Sequence, residues 1–173
     1  HNGSADLPFK TIGRAMEFVS PEAPRDVYLA AGIYTKTLEL ADGASVYGGF
    51  DAQDGWRRKP TTPTVFLITT PDADGQQIGI KADALSSAAT VAFLTITVGS
   101  NQGGAGGSSY GVWARDCPDL MLHDLELTVG NGATGAGGAP GGAGANGTSG
   151  ESGQAGFVGF VGNEPNQGGA GGA

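Results

Sequence analysis

Trp56 is followed directly by Arg57, Arg58 and Lys59, the densest run of positive charge in the chain. An indole beside guanidinium groups can stack on a sugar ring and pair with its carboxylate, so Trp56, Arg57 and Arg58 are candidate contacts for an anionic carbohydrate. The same segment, between Gly55 and Pro60, also reads as a loop lying over the side of a core, with the long basic stems covering apolar surface. Lys81 and Arg115 make a second candidate pair, each with an aspartate close by in sequence (Asp83 and Asp116). A solvated mixed-charge face is the commoner outcome for such a set. Asp72-Ala73-Asp74-Gly75 offers two carboxylates one residue apart, which makes Asp72 and Asp74 the candidate ligands for calcium. No glutamate follows at EF-hand spacing, and the calcium-binding glycine–aspartate nonapeptide is missing. His123 stands beside Asp124 without a serine or cysteine motif that would complete a triad. Cys117 is the only cysteine, which excludes an intrachain disulfide and a cysteine metal cluster and leaves a small apolar side chain as its simplest role. His1 could hold a metal through its amino group and imidazole if it is the natural terminus.

The elements that must position these residues are short. Phe9, Ile12, Met16 and Val19 recur at spacings of three and four, which predicts an amphipathic helix over Pro8–Val19. The remaining apolar segments predict strands at 27–29, 38–40, 45–50, 65–68, 78–81, 91–98, 112–114 and 120–129, punctuated by Gly32, Asp42-Gly43, Gly48-Gly49, Asp54-Gly55, Asp74-Gly75 and Cys117-Pro118. Within them lies a repeat. Gly79-Ile80-Lys81-Ala82 leads to Leu94-Thr95-Ile96-Thr97-Val98-Gly99, and Gly111-Val112-Trp113-Ala114 leads to Leu125-Glu126-Leu127-Thr128-Val129-Gly130, each followed by a glycine-rich loop. A unit of this kind cannot bury its apolar face alone and must stack on its neighbour, as in a solenoid. Two-residue hairpin turns between successive strands are missing, which favours parallel stacking over a meander.

Asn2-Gly3-Ser4 with Pro8-Phe9-Lys10-Thr11-Ile12, then Val27-Tyr28-Leu29-Ala30-Ala31-Gly32-Ile33-Tyr34 and Gly43-Ala44-Ser45-Val46-Tyr47-Gly48-Gly49-Phe50-Asp51, resemble the opening of secreted bacterial β-helix proteins of the pectate-lyase-like superfamily. They are similar in particular to the glycine-loop-bearing surface proteins of myxobacteria. The resemblance covers residues 2 to about 130. It implies an all-β fold, a right-handed parallel β-helix whose short α-helix caps the N-terminal end of the stack. Lyases of that superfamily hold calcium on acidic residues against a uronate and use a lysine or arginine as base. The residues that could serve here are Asp51, Asp54, Asp72, Asp74, Asp83, Lys81 and Arg115. The short aspartate motifs of its glycosidases and the histidine-containing motif of its epimerases are missing.

Composition sets the remaining bounds. Of 33 glycines among 173 residues, 18 fall between Gly130 and Gly172, so the expected division is a cap and coils over 1–129 and a glycine-rich loop or tail over 130–173. The formal net charge is -8 and no lysine or arginine follows Arg115, which argues against nucleic-acid binding. No apolar run approaches the length of a membrane span. A start at His1 rather than methionine suits a processed chain, and the location expected is extracellular or the cell surface. Phe157, Val158, Phe160 and Val161 form the one apolar island of the tail and are candidate association residues. The last predicted strand leaves the C-terminal end of the stack open, so the expectation is either the N-terminal part of a longer solenoid or partners, other copies or another polypeptide, that complete the end. The function expected is structural or adhesive. The alternative is a carbohydrate-active protein, either a calcium-dependent polyuronate lyase or a binder of acidic polysaccharide without catalysis. An ice- or mineral-binding surface ranks last, since its threonines are limited to Thr95, Thr97 and Thr128.

Overall fold

The computed structural model describes residues 1–59, 61–104 and 106–153. The chain divides into two units, His1–Gly137 and Gly138–Ala173. Residues 138–153 carry no helix or strand and are exposed. Phe157, Val158, Phe160 and Val161 lie outside the described residues.

The described residues of the first unit hold one helix, α1 (Ile12–Met16), and ten strands: β1 (Arg25–Ala30), β2 (Gly32–Tyr34), β3 (Leu38–Glu39), β4 (Ala44–Asp51), β5 (Arg57–Arg58), β6 (Thr64–Ile68), β7 (Gln77–Asp83), β8 (Ala89–Val98), β9 (Ser109–Arg115) and β10 (Leu120–Val129). Every pairing between them is parallel except that of β5 with β4. β1 pairs with β4, which pairs with the first half of β8; β2 pairs with β6, which pairs with its second half. β3, β7 and β9 form a separate sheet. The chain therefore winds through three faces per turn and makes a parallel β-solenoid of about three turns, with β10 laid on β8 as the last rung among the described residues.

The repeat in the sequence is the rung of this stack. Gln77 pairs with Ser109 and Asp83 with Arg115, whereas Ala89 pairs with Leu120, so the interval between partners shortens by a single position from one face to the next. The position lost between the two registers falls in the turn between β9 and β10. Inward positions stack in rows: Val27, Val46, Val91 and Leu122 on one face, Tyr34, Phe66, Ile96 and Leu127 on the next, Leu38, Ile80 and Val112 on the third. Tyr34 and Phe66 stack ring on ring with centroids 5.2 Å apart, which makes an aromatic ladder inside the coil. Gly79 is required at its place, because a Cβ there would collide with Ile96 Cγ2 and sit 2.6 Å from the Gly111 carbonyl oxygen.

The corners come from single residues. Phe93 (φ 60°) and Asp124 (φ 51°) fold β8 and β10 from one face to the next, and they occupy the same place in their strands, between the paired Ala92 and His123 and the paired Leu94 and Leu125. Ala84 (φ 52°) and Asp116 (φ 53°) turn the chain at the end of β7 and β9 in the same way. A left-handed backbone costs a non-glycine residue about 1–2 kcal/mol, so these corners are held by the ladder on either side.

The predicted helix over Pro8–Val19 is shorter than its periodicity suggested. Thr11 caps it by accepting the Arg14 amide at 3.3 Å, so the helix begins only at Ile12. Phe9 stays outside and stacks on Phe18, with centroids 5.0 Å apart. Met16 enters the core, and Ile12, Ala15 and Val19 pack against it. β2 and β5 were not predicted; both are too short to carry a period.

Three polar side chains, Thr64, Gln77 and Asn101, sit in the interior, and the last two have opposite fates. Asn101 (3% exposed) donates from Nδ2 to the carbonyls of Gly75 (2.7 Å) and Ser108 (3.1 Å) and accepts the Gly103 amide at 2.8 Å. Gln77 (1% exposed) has no hydrogen-bond partner for Nε2 or Oε1 among the described residues.

Candidate functional site

The candidate ligand residues fall into two groups on different sheets. Trp56, Arg57 and Arg58 belong to an excursion between β4 and β6, folded back so that Arg58 pairs with Phe50 and Arg57 with Asp51. The excursion is tied down from several sides. Lys59 Nζ lies 3.0 Å from Asp51 and 2.9 Å from Asp54, and these contacts raise the lysine's pKa, that of Asp54 most. Asp51 is held below the usual carboxylate range, first by Lys59 and then by the Gln53 amide. Arg58 lays its guanidinium on the Phe93 ring, 3.5 Å from the centroid, while His123 meets the same ring edge-on at 5.5 Å. The basic run thus serves largely to seat the loop at the Phe93 corner. The buried Thr64 hydroxyl closes its far end, accepting the Gly49 amide at 2.9 Å and donating to the Ala30 carbonyl at 3.1 Å.

Trp56 reaches the other way. Its indole Nε1 donates to the Ala5 carbonyl at 3.0 Å and so anchors the segment that precedes α1. Between that segment and β1 opens a cavity of about 840 Å³, lined in part by Phe9, Phe18, Arg25, Tyr28, Phe50 and Trp56. Tyr28 lies 4.8 Å from Phe50 and 6.0 Å from Tyr47, ring to ring, and is half exposed. The Asp26 carboxylate beside the Tyr28 hydroxyl raises its pKa, since a phenolate there would face a like charge. Aromatic faces around an open groove can hold a sugar ring or an apolar side chain. Sequence reading found Trp56 and missed Tyr28, Tyr47 and Phe50, whose pattern is that of any strand and whose gathering depends on the left-handed bend at Gly49 (φ 81°) within β4 and the register shift beside it.

Lys81 and Arg115 share the outer surface of the β3–β7–β9 sheet. Register places Glu39, Lys81 and Trp113 in one row and Asp83 and Arg115 in the next. Arg115 grips Asp83 with Nε and Nη2, both at 2.8 Å. Trp113 stands between the two cations, 5.7 Å from Lys81 Nζ and 5.4 Å from Arg115 Cζ measured to the ring. Trp113 was not singled out beforehand, although its place opposite Lys81 in the next copy of the repeat was the signal that could have found it.

Asp72 and Asp74 lie in the turn before β7. Asp72 Oδ1 accepts the amides of Asp74 (3.0 Å) and Gln76 (2.8 Å), which organises the turn. Among the described residues no group of three or more His, Cys, Asp or Glu gathers as a metal-ligand set. His123 Nδ1 is 2.9 Å from Asp124 Oδ2 at the exposed corner of β10. Cys117 Sγ lies 3.0 Å from the Arg115 carbonyl oxygen.

The largest departure from a sealed fold is β10. Leu122, Leu127 and Val129 are 40%, 48% and 44% exposed, whereas Val91, Ile96 and Val98, the residues beneath them in β8, are 0%, 0% and 1% exposed. Among the described residues β10 pairs with β8 alone. No helix among the described residues is long and apolar enough to cross a membrane. No family model, curated protein or solved structure matches the chain.

Proposed function

We propose that the protein is a structural or adhesive β-solenoid module of a secreted or cell-surface bacterial protein, working in a larger assembly or a longer solenoid. The observation that carries this reading is the last rung: inward-pointing Leu122, Leu127 and Val129 are nearly half exposed over a fully buried row. A further strand laid on β10 would cover them, contributing about 1 kcal/mol for each, and would satisfy the backbone groups on its outer edge. The occupant proposed is another copy of the chain or a second polypeptide. The resemblance of residues 2 to about 130 to pectate-lyase-like β-helix proteins, and to myxobacterial surface proteins among them, supports an extracellular, bacterial setting. The native mass of the purified protein over a concentration series tests this. Particles of several chains that shrink when Leu127 is replaced by lysine are expected. A single chain at every concentration, unaltered by Leu127→Lys, would sink the reading.

The second reading is recognition of acidic polysaccharide, with or without calcium-dependent lyase activity. Trp113 between Lys81 and Arg115 favours it, since an indole can stack on a uronate whose carboxylate meets the cations. Retention on immobilised polygalacturonate, lost in Trp113→Ala, with and without calcium, separates the two readings. Unsaturated products in the flow-through would mark a lyase.

A further inference from the structure

The chain contains three Asn-Gly steps, Asn2-Gly3, Asn131-Gly132 and Asn146-Gly147. This dipeptide is chemically labile. The glycine amide nitrogen, unhindered by a side chain, attacks the asparagine Cγ and loses its proton, the side-chain nitrogen leaves as ammonia, and a five-membered succinimide forms. Water then adds to one of the two ring carbonyls and opens the ring to aspartate or, through the side chain, to isoaspartate. The reaction needs the asparagine ψ and χ angles to swing the amide nitrogen onto Cγ, so a backbone held by hydrogen bonds must first open.

The fold treats the three steps differently. At the first, the Gly3 amide donates to the Leu7 carbonyl at 3.1 Å, and Asn2 Oδ1 accepts the Ser4 amide at 3.1 Å. Both reacting groups are occupied. At the second, the Asn131 carbonyl accepts the Asn101 amide (2.8 Å) and the Ser109 hydroxyl (3.1 Å), and the Asn131 amide donates to Ser100 Oγ at 3.1 Å. Gly132 lies against the Gly107 carbonyl, 3.1 Å from where a Cβ would stand. At the third, Asn146 and Gly147 are exposed, belong to no helix or strand, and make no hydrogen bond among the described residues. Nothing lies within 4 Å of a Cβ built on Gly147. The dipeptide is the same in all three, so what distinguishes them is their surroundings in the fold.

We propose that Asn146 is a site of spontaneous covalent modification, converting through a succinimide to isoaspartate and aspartate, while the fold protects Asn2 and Asn131. Each conversion adds one negative charge to a stretch that already has no lysine or arginine, and isoaspartate also inserts a methylene into the backbone. The test is incubation of the full chain in mildly alkaline buffer, followed by proteolysis and mass mapping of the three peptides, each gaining about 1 Da on conversion, with isoaspartate counted by enzymatic methylation. The expected result is that the Asn146 peptide converts first, at least about tenfold faster than the other two, and that in concentrated urea the three rates converge. Asn146→Gln should abolish the fast phase and leave the slow ones unaltered. Equal rates in the native protein would overturn the proposal, as would earlier conversion at Asn131 or Asn2. Retention of the rate differences in urea would also refute it, because local sequence rather than the fold would then set them.

Discussion

Gln77 is the residue whose replacement should stabilise the protein. Its amide is 1% exposed and both polar atoms lack partners among the described residues, in an interior otherwise built from Val91, Ile96, Ile80 and their neighbours. Leaving a buried donor or acceptor unpaired costs about 1–3 kcal/mol per group, whereas an apolar group of the same shape carries no such cost. Methionine matches glutamine in length and side-chain freedom, and Gln77 donates its own backbone amide to the Ser108 carbonyl (2.9 Å), which the change leaves in place. Gln77→Met is therefore expected to gain about 1–3 kcal/mol. For a chain of this size that is a rise in Tm of roughly 3–9 °C, read by circular dichroism and checked by urea unfolding at constant m-value. Asn101→Leu supplies the opposite arm: three good hydrogen bonds are lost around a 3% exposed side chain, and a loss of roughly 3 kcal/mol or more is expected. If Gln77→Met lowers the Tm, the amide is engaged in the folded state and the reasoning from unpaired groups is wrong. If both variants destabilise equally, the two interiors are not distinguished by hydrogen bonding at all.

Gly79→Ala should destabilise by about 1–3 kcal/mol, because the new methyl meets Ile96 and the Gly111 backbone; an unaltered urea midpoint would show the rung to be loose. Ala84→Gly should raise stability by about 1 kcal/mol by relieving a left-handed corner (φ 52°), measured by the same unfolding curves, with no change in far-ultraviolet dichroism. Asp42 accepts the Ser86 hydroxyl (2.6 Å) and the amides of Ser86 and Ser87, and the Ser86 hydroxyl first, then the Ser87 amide, draw its pKa from the ordinary 3.8 down to about 2. Because the folded pKa is the lower one, its stabilisation is complete above pH 3.8 and disappears as pH falls to about 2. Asp42→Asn should flatten the pH dependence of Tm across that window; an unaltered slope would contradict the assignment.

Much of the coil was legible because it depends on nearest neighbours in a repeating unit. Leu94–Gly99 and Leu125–Gly130 present the same apolar period after the same interval, and a period of two on a strand leaves only one face to bury, so stacking and register followed from the sequence. The strands at 91–98 and 120–129 and the parallel sense of their pairing were read correctly for that reason. The helix was overextended because periodicity alone does not count caps: Thr11 accepts the Arg14 amide and Phe9 stacks on Phe18 instead. What the sequence could not determine are relations between residues far apart in the chain with no shared period. The seating of Arg58 on Phe93, the bridging of Gly49 and Ala30 by Thr64, and the gathering of Tyr28, Phe50 and Trp56 around one cavity all depend on how a single excursion folds back between β4 and β6. The separation of Trp56, Arg57 and Arg58 from Lys81 and Arg115 onto different sheets is of the same kind. Local pattern specifies which side of a strand faces inward; only the wound coil decides which strands share that interior.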